Sequence, residues 1–299
     1  MSKLLEGAVR LPDFYVVGAQ KCGTTSLHAY LNSHPSICLP AGKETKYFVR
    51  DDRYQLGLDH YLGQWHERPT ENQLIGEVDP DYMYFEVALE RMASVLNMKK
   101  TKFIFVFREP VARAFSQYLM TYRRGVEELD FEEAVVAEPE RIKRGFRERS
   151  QYSYLDRGYY YRQVLRFLDK VDSDNVFYIL SEDLSDNTES VMNDVFAFLG
   201  LDATVDTQSL KHEHRGTMPK NTRLLRAIVS QGAHKELVRM MLPFPNWRKK
   251  IRQKIIDWNE TEDISIKLRD DTSAELKKRF LEENDKLSAL IGRDLGHWA

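Results

Sequence analysis

Cysteine is scarce in this chain. Cys22 and Cys38 are the only two in 299 residues, too few for the disulfide framework of a secreted fold, and both are expected to stay reduced. No apolar run reaches the roughly 20 residues that a membrane-spanning helix needs, and residues 1–10 contain no apolar segment of the signal-peptide kind. One sign of charge does not dominate either: 44 Lys and Arg face 46 Asp and Glu, for a formal net charge of −2. A global basic field able to hold DNA or RNA is therefore absent, and any anion site must be local. Internal repeats, low-complexity tracts and linker-like stretches are missing as well. The expectation is a soluble cytoplasmic protein with neither a nucleic-acid nor a membrane partner.

What the chain does have is 42% apolar residues, enough to bury a large core, and a regular alternation of strand-like and helix-like segments. Strands are expected at residues 14–17, 36–39, 74–78, 102–107 and 175–180; helices are expected from Thr24, over 86–98, over 110–123, up to about Leu199 with Gly200 as its C-cap, and over 273–291. Residues 54–65 form an aromatic-rich helical or looped segment. Such alternation predicts an α/β fold with a central parallel sheet flanked by helices. Beyond Asn221 only helical patterns appear. The expected organisation is a single domain over 1–299, with a core at about 13–216 and a helical C-terminal region at about 221–299.

Two stretches carry the chemistry. In the first, Phe14 to Val17 form an apolar strand ended by Gly18, and Thr24-Thr25 open a segment in which Leu27, Tyr30, Leu31 and His34 recur at helical spacing. A glycine-flanked turn before a helix N-terminus is a seat for an anion, because the first helical amides have no internal partner. The phosphate loop of nucleoside triphosphatases reads G-x-x-x-x-G-K-[ST]; here Gly18 and Gly23 have its separation, but Thr24 replaces its lysine and the lysine sits inside the turn as Lys21. The second stretch is Phe103 to Pro110. Arg108 stands at the carboxyl end of a buried strand, where ligands bind in open α/β sheets, and Ser116 follows about 9 Å along the next helix. A guanidinium fork and a hydroxyl so placed suit a single phosphate.

Gly18 to Thr25 after an N-terminal strand, taken with Arg108 and Ser116 after a later one, resemble the paired nucleotide motifs of sulfotransferases that use 3′-phosphoadenosine 5′-phosphosulfate. The resemblance covers Asp13 to about Gly216 and is closer to the heparan-type and bacterial branch than to the cytosolic steroid and phenol enzymes. Phe280 to Asn284 and Gly292 to Trp298 are similar to the way many bacterial members end. The resemblance implies a P-loop-like sulfotransferase fold, with Lys21, Cys22, Gly23, Thr24 and Thr25 at the 5′-phosphosulfate and Arg108 and Ser116 at the 3′-phosphate. Arg215 and Gly216 match the family's basic residue and glycine in a loop closing over that phosphate. Lys21 would bind the bridging oxygen as charge builds on the departing phosphate, and no metal is implied.

An acceptor also needs a base. Lys43 to Phe48 resemble the Glu-x-x-Phe-Phe-like segment of heparan-type members, in which the glutamate takes the acceptor proton, and Glu44 falls on that position. His60, His66 and Asp79 are fallback bases. Gly76 to Tyr82 resemble a segment that often reads Glu-Lys-x-Pro-x-Tyr, with Val78 at the lysine position, which speaks against a heparan-like polyanion as acceptor. The expected acceptor is a small cytoplasmic molecule of secondary metabolism, with a hydroxyl or amine held around Glu44, Tyr47, Phe48, Asp79 and Tyr82. Tyr152 to Tyr161 offer aromatics for adenine or for the core, and the basic runs 141–149 and 248–254 read as solvated helical faces. His212 and His214 lack further ligands for zinc. Two other readings compete: a kinase with a variant phosphate loop, opposed by Thr24 and by the want of an acidic pair for magnesium, and a non-catalytic nucleotide-binding module, opposed by Lys21 and Glu44.

Overall fold

The structure, a computed structural model, describes residues 10–65, 69–202, 218–219, 260–261 and 266–299. Five strands form one parallel sheet: β1 (Phe14–Gly18), β2 (Ile37–Cys38), β3 (Leu74–Val78), β4 (Lys102–Phe107) and β5 (Val176–Leu180), in the order β2-β3-β1-β4-β5. β1 is buried at every position and β4 at all but its first, as expected of central parallel strands with no solvent face. Gly76 is needed in β3 because a Cβ there would lie 2.1 Å from the Phe14 ring on β1.

The helices are α1 (Thr24–Asn32), α2 (Asp51–Tyr54), α3 (Leu58–Leu62), α4 (Glu86–Val95), α5 (Pro110–Arg123), α6 (Phe131–Ile142), α7 (Phe146–Tyr152), α8 (Tyr160–Leu168), α9 (Ser181–Asp186), α10 (Thr188–Leu199) and α11 (Asp270–Ile291). The α/β class and all five strands agree with the sequence reading. Three helices differ from it, α11 by starting at Asp270, three residues early. α4 stops at Val95, where Leu96 turns extended. The helix expected after β5 is two helices, parted at Asn187, where Thr188 Oγ1 donates to the Leu184 carbonyl at 2.7 Å; a side chain competing locally for a backbone acceptor favours such a break. α10 ends as expected at Gly200, with Leu201 N–H donating to Phe196 O at 2.8 Å. Past Asn221 the expectation of helix alone is corrected by a two-residue strand, β7 (Glu260–Thr261), antiparallel to β6 (Met218–Pro219); strands so short leave no alternation to read.

The described residues fall into two compact units. One is drawn from Met1–Arg113, Tyr159–His212 and Phe280–Ala299, the other from Ala114–Gly158 and Glu213–Arg279. The first contains the whole sheet, with Tyr15, Val16, Ile104, Phe105, Phe167 and Phe196 in its core. In the second, Phe115, Tyr118 and Phe131 pack ring against ring, and buried Glu127 accepts from Arg141 and Tyr154 at 2.7 Å each. Arg141 thus departs from the solvated face expected of its basic run. Among the described residues no helix is long and apolar enough to cross a membrane.

Candidate active site

Parallel strands release their chains at a common edge, and the order β3-β1-β4 sets the loop after β1 between the segments that follow β3 and β4. That loop runs from Gly18 to Thr24. Lys21 adopts a left-handed conformation with φ 70°, and Gly23 one with φ 94°, which favours glycine at the cap of α1. With no side chain on its cap and no acidic residue in its first turn, α1 leaves its leading amides and positive dipole end without a competing anion. Thr24 is buried there and Thr25 exposed. Arg108 Nη1 donates to the Lys21 carbonyl at 3.4 Å, and the Tyr160 hydroxyl donates to the Arg108 carbonyl at 2.9 Å. The end of β4 is therefore tied to the loop that follows β1. These features fit an anionic group at the head of α1. Cys22, 3.7 Å from the Tyr160 hydroxyl, is a filler, since burial pushes its thiol up to about 11.

The segment after β2 carries a second cluster. Among the described residues, the non-glycine positions with positive φ are Lys21, Glu44 and Lys46. Backbone strain of this kind costs on the order of 1–3 kcal/mol per residue and persists only where surrounding contacts enforce it. Here they do. Lys46 N–H donates to Asp79 Oδ2 at 2.8 Å, Lys46 Nζ reaches Asp79 Oδ1 at 2.9 Å and Asp81 Oδ2 at 2.8 Å, and Thr45 Oγ1 donates to Glu77 Oε1 at 2.5 Å. Glu44 lies between two ammonium groups, 2.8 Å from Lys43 Nζ and 3.0 Å from Lys46 Nζ. Burial alone would raise its carboxyl, but Lys46 and Lys43 outweigh burial and hold it below the ordinary glutamate value. Lys43 Nζ also donates to Thr25 Oγ1 at 3.3 Å. One lysine thus connects the head of α1 to the Glu44 carboxylate.

Beneath this loop Glu77 is fully buried and accepts from Thr45, from Tyr61 at 2.5 Å and from Tyr82 at 2.8 Å. Burial, then nearby Asp79, push its carboxyl up to about 7 against the pull of those hydroxyls. Asp79 is also raised, by burial first, with Lys46 opposing.

A sulfotransferase domain model matches residues 11–258. The chain belongs to the sulfotransferase family. A membrane-associated sulfotransferase, kil1, of Dictyostelium discoideum is 35% identical over 47% of this chain and 33% of its own length. Heparan sulfate glucosamine 3-O-sulfotransferase 3A1 of Mus musculus is 29% identical over 66% of this chain and 47% of its own length. The chain spans less than half the length of both curated relatives. Among solved structures, a sulfotransferase from Alicyclobacillus acidocaldarius aligns over 97% of this chain and 99% of its own with a TM-score of 0.68 and 26% identity.

The first unit brings together Lys21, Cys22, Gly23, Thr24, Thr25, Glu44 and Arg108 at or just beyond one sheet edge. Ser116 lies on the part of α5 that belongs to the second unit, and Arg215, Gly216, His66, His212, His214 and the basic run 248–254 lie outside the described residues. Of the residues expected to wall the acceptor, Phe48 and Tyr82 are fully buried and Tyr47 nearly so. Tyr47 stacks on Tyr61 with centroids 4.3 Å apart, and Phe48 meets Tyr15, Tyr61 and Tyr82 edge-on. These rings support the 43–46 loop from the core and present no open face. The Asp79 side chain is fully buried whereas that of Glu44 is partly open, and His60 is exposed on α3 beside Gln64, so neither fallback base has the setting of Glu44. Tyr154 and Tyr160 are likewise core residues. Sequence reasoning missed Glu77, Thr45, Lys43, Lys46 and His28. A glutamate inside the apolar run 74–78 was the legible signal for Glu77; nothing in the spacing pointed to Lys46 reaching Asp79.

Proposed function

We propose that this protein transfers a sulfuryl group from 3′-phosphoadenosine 5′-phosphosulfate to a hydroxyl or amine of a small acceptor, releasing adenosine 3′,5′-bisphosphate. The observation that carries the reading is the Thr25–Lys43–Glu44 connection, which sets a carboxylate within one side chain's reach of the anion-binding head of α1. In the transfer, Glu44 accepts the acceptor's proton as its oxygen or nitrogen bonds to sulfur and the bond from sulfur to the bridging oxygen breaks. Lys21 offsets the charge that collects on that oxygen, and the amides of Gly23, Thr24 and Thr25 hold the phosphate; positioning and preorganised charge carry such in-line transfers. Arg108 is assigned to the 3′-phosphate, as the family resemblance implies.

A small acceptor is favoured over a polyanion by the local charge. Glu44, Asp79 and Asp81 outnumber Lys43 and Lys46 in the cluster, so a polysulfated chain would meet net repulsion. The test is incubation with labelled donor and two acceptor sets, small hydroxylated or amino metabolites and heparan-like oligosaccharides, followed by mass spectrometry for the gain of one sulfuryl group. Transfer to small acceptors with weak salt dependence is expected. Transfer confined to the oligosaccharides overturns the acceptor class, and failure to bind the bisphosphate product overturns the activity.

A further inference from the structure

Glu44 has two cationic neighbours, and they are not equivalent. Lys46 is fixed by Asp79 and Asp81, whose side chains are 0% and 7% exposed. Lys43 has, besides Glu44, a 3.3 Å hydrogen bond to the neutral Thr25 hydroxyl. Of the two, Lys43 is the one able to change partner at little cost. Its second contact is also the informative one. Thr25 stands in the first turn of α1, the proposed seat of the donor's 5′-phosphate, so the anionic sulfuryl group that this phosphate carries is the part of the donor that reaches toward the Lys43 ammonium. Such an anion outcompetes a hydroxyl for a charged donor. His28, one turn further along α1, is held toward its neutral form by burial and then by Lys43, and its Nε2 is buried without a partner. It adds no cation to compete for the anion and does not tie Lys43 down.

We propose that Lys43 is shared between Glu44 and the sulfuryl donor: it holds the Glu44 carboxylate in the unliganded protein and passes to a sulfuryl oxygen when the donor binds, leaving Glu44 open to an acceptor proton. The idea rests on reading the site as a sulfotransferase site. It couples the two halves of the reaction, because the base is uncovered only when there is a group to transfer. Lys43 then also neutralises charge on the moving group, a task distinct from that of Lys21 at the leaving oxygen.

Coupling between sites is reciprocal. If the donor draws Lys43 from Glu44, then Glu44 must weaken donor binding through Lys43. Calorimetry without acceptor tests this on the full chain, the Lys43→Met and Glu44→Gln variants and the double variant, each titrated with 3′-phosphoadenosine 5′-phosphosulfate and with adenosine 3′,5′-bisphosphate, after thermal unfolding has shown each variant folded. Lys43→Met should weaken donor binding by about tenfold, the lower end for a hydrogen bond to a charged group, and bisphosphate binding far less, since that ligand has no sulfuryl group. Glu44→Gln should tighten donor binding, and do so several-fold more with Lys43 present than in the Lys43→Met background. Lys43→Arg should keep part of the preference for donor over product. Equal tightening in both backgrounds, or equal losses for donor and bisphosphate in Lys43→Met, overturns the sharing of Lys43 while leaving the sulfotransferase reading intact. A protein that binds neither nucleotide overturns both.

Discussion

Lys46 holds Asp79 with both of its nitrogens, the backbone N–H on Oδ2 at 2.8 Å and Nζ on Oδ1 at 2.9 Å. This double grip joins the strained 43–46 loop to the end of β3 and so fixes where Glu44 stands. Burial alone would lower the Lys46 ammonium, but Asp79, Asp81 and Glu44 hold it well above its ordinary value. Lys46→Met removes the cation shared by the nearly buried carboxylates of Asp79 and Asp81, and removal of one partner from a buried pair costs about 3–5 kcal/mol. Chemical denaturation should register a loss on that scale. A second change, Asp79→Asn, should return part of it; a Lys46→Met protein as stable as the parent would show that the grip is not structural.

Glu77 predicts a pH signature. Its folded value of about 7 lies above its ordinary 4.5, so the folded state binds the extra proton between those limits. The stability tied to that proton is fully present below pH 4.5 and is lost as pH rises through 7. At roughly 1.4 kcal/mol per pH unit this amounts to about 3 kcal/mol. Glu77→Gln, which cannot ionise, should gain on the parent in melting temperature as pH is raised from 5 to 8. Parallel curves for the two proteins would place the Glu77 titration elsewhere.

These two residues mark where the sequence stops being readable. The sheet was legible because β1 and β4 are unbroken apolar runs of strand length, and the anion loop because Gly18, Lys21, Gly23 and the two threonines lie within eight successive positions. The support of Glu44 was not legible, since it is made by contacts across 32 to 35 residues, Thr45 to Glu77 and Lys46 to Asp79 and Asp81. No local pattern encodes such pairing. The packing of Tyr47, Phe48 and Tyr82 was illegible for the same reason: an aromatic beside a candidate base can line a cavity or support a loop, and its contacts with Tyr15 and Tyr61 have no local signature.

Arg108 is held at the loop by its contact with the Lys21 carbonyl, which places a guanidinium at the edge where the nucleotide is proposed to lie. Arg108→Ala should weaken binding of adenosine 3′,5′-bisphosphate by about 1.5–3 kcal/mol, the range for hydrogen bonds to charged groups. Isothermal titration of the purified variant measures it. Unchanged affinity would remove Arg108 from the nucleotide site.

The pH dependence of turnover should report Glu44. With its carboxyl held below 4.5 by Lys46 and Lys43 against burial, the acid limb of kcat/KM, which follows the free enzyme, is expected below that ordinary value. Loss of a cationic neighbour in Lys43→Met should move the limb upward. Glu44→Gln should abolish the limb together with most of the rate and leave bisphosphate binding nearly intact. A limb that stays in place in Glu44→Gln would assign the base to another residue.

Lys21 sits at the strained turn of the anion loop, φ 70°, and its proposed role is strongest when charge has built up on the leaving oxygen. Loss of a group that acts at that stage lowers kcat more than it weakens ground-state binding. Lys21→Ala should therefore reduce kcat by a factor on the order of 10² to 10³, the scale seen when one preorganised stabilising group is removed, with a smaller change in donor affinity. Lys21→Arg should restore it only in part, because a planar fork does not replace a compact ammonium inside a tight turn. Single-turnover rates at saturating donor separate the two effects. A Lys21→Ala protein with near-normal single-turnover rate would take Lys21 out of the chemistry and return the leaving-group charge to the amides at the head of α1.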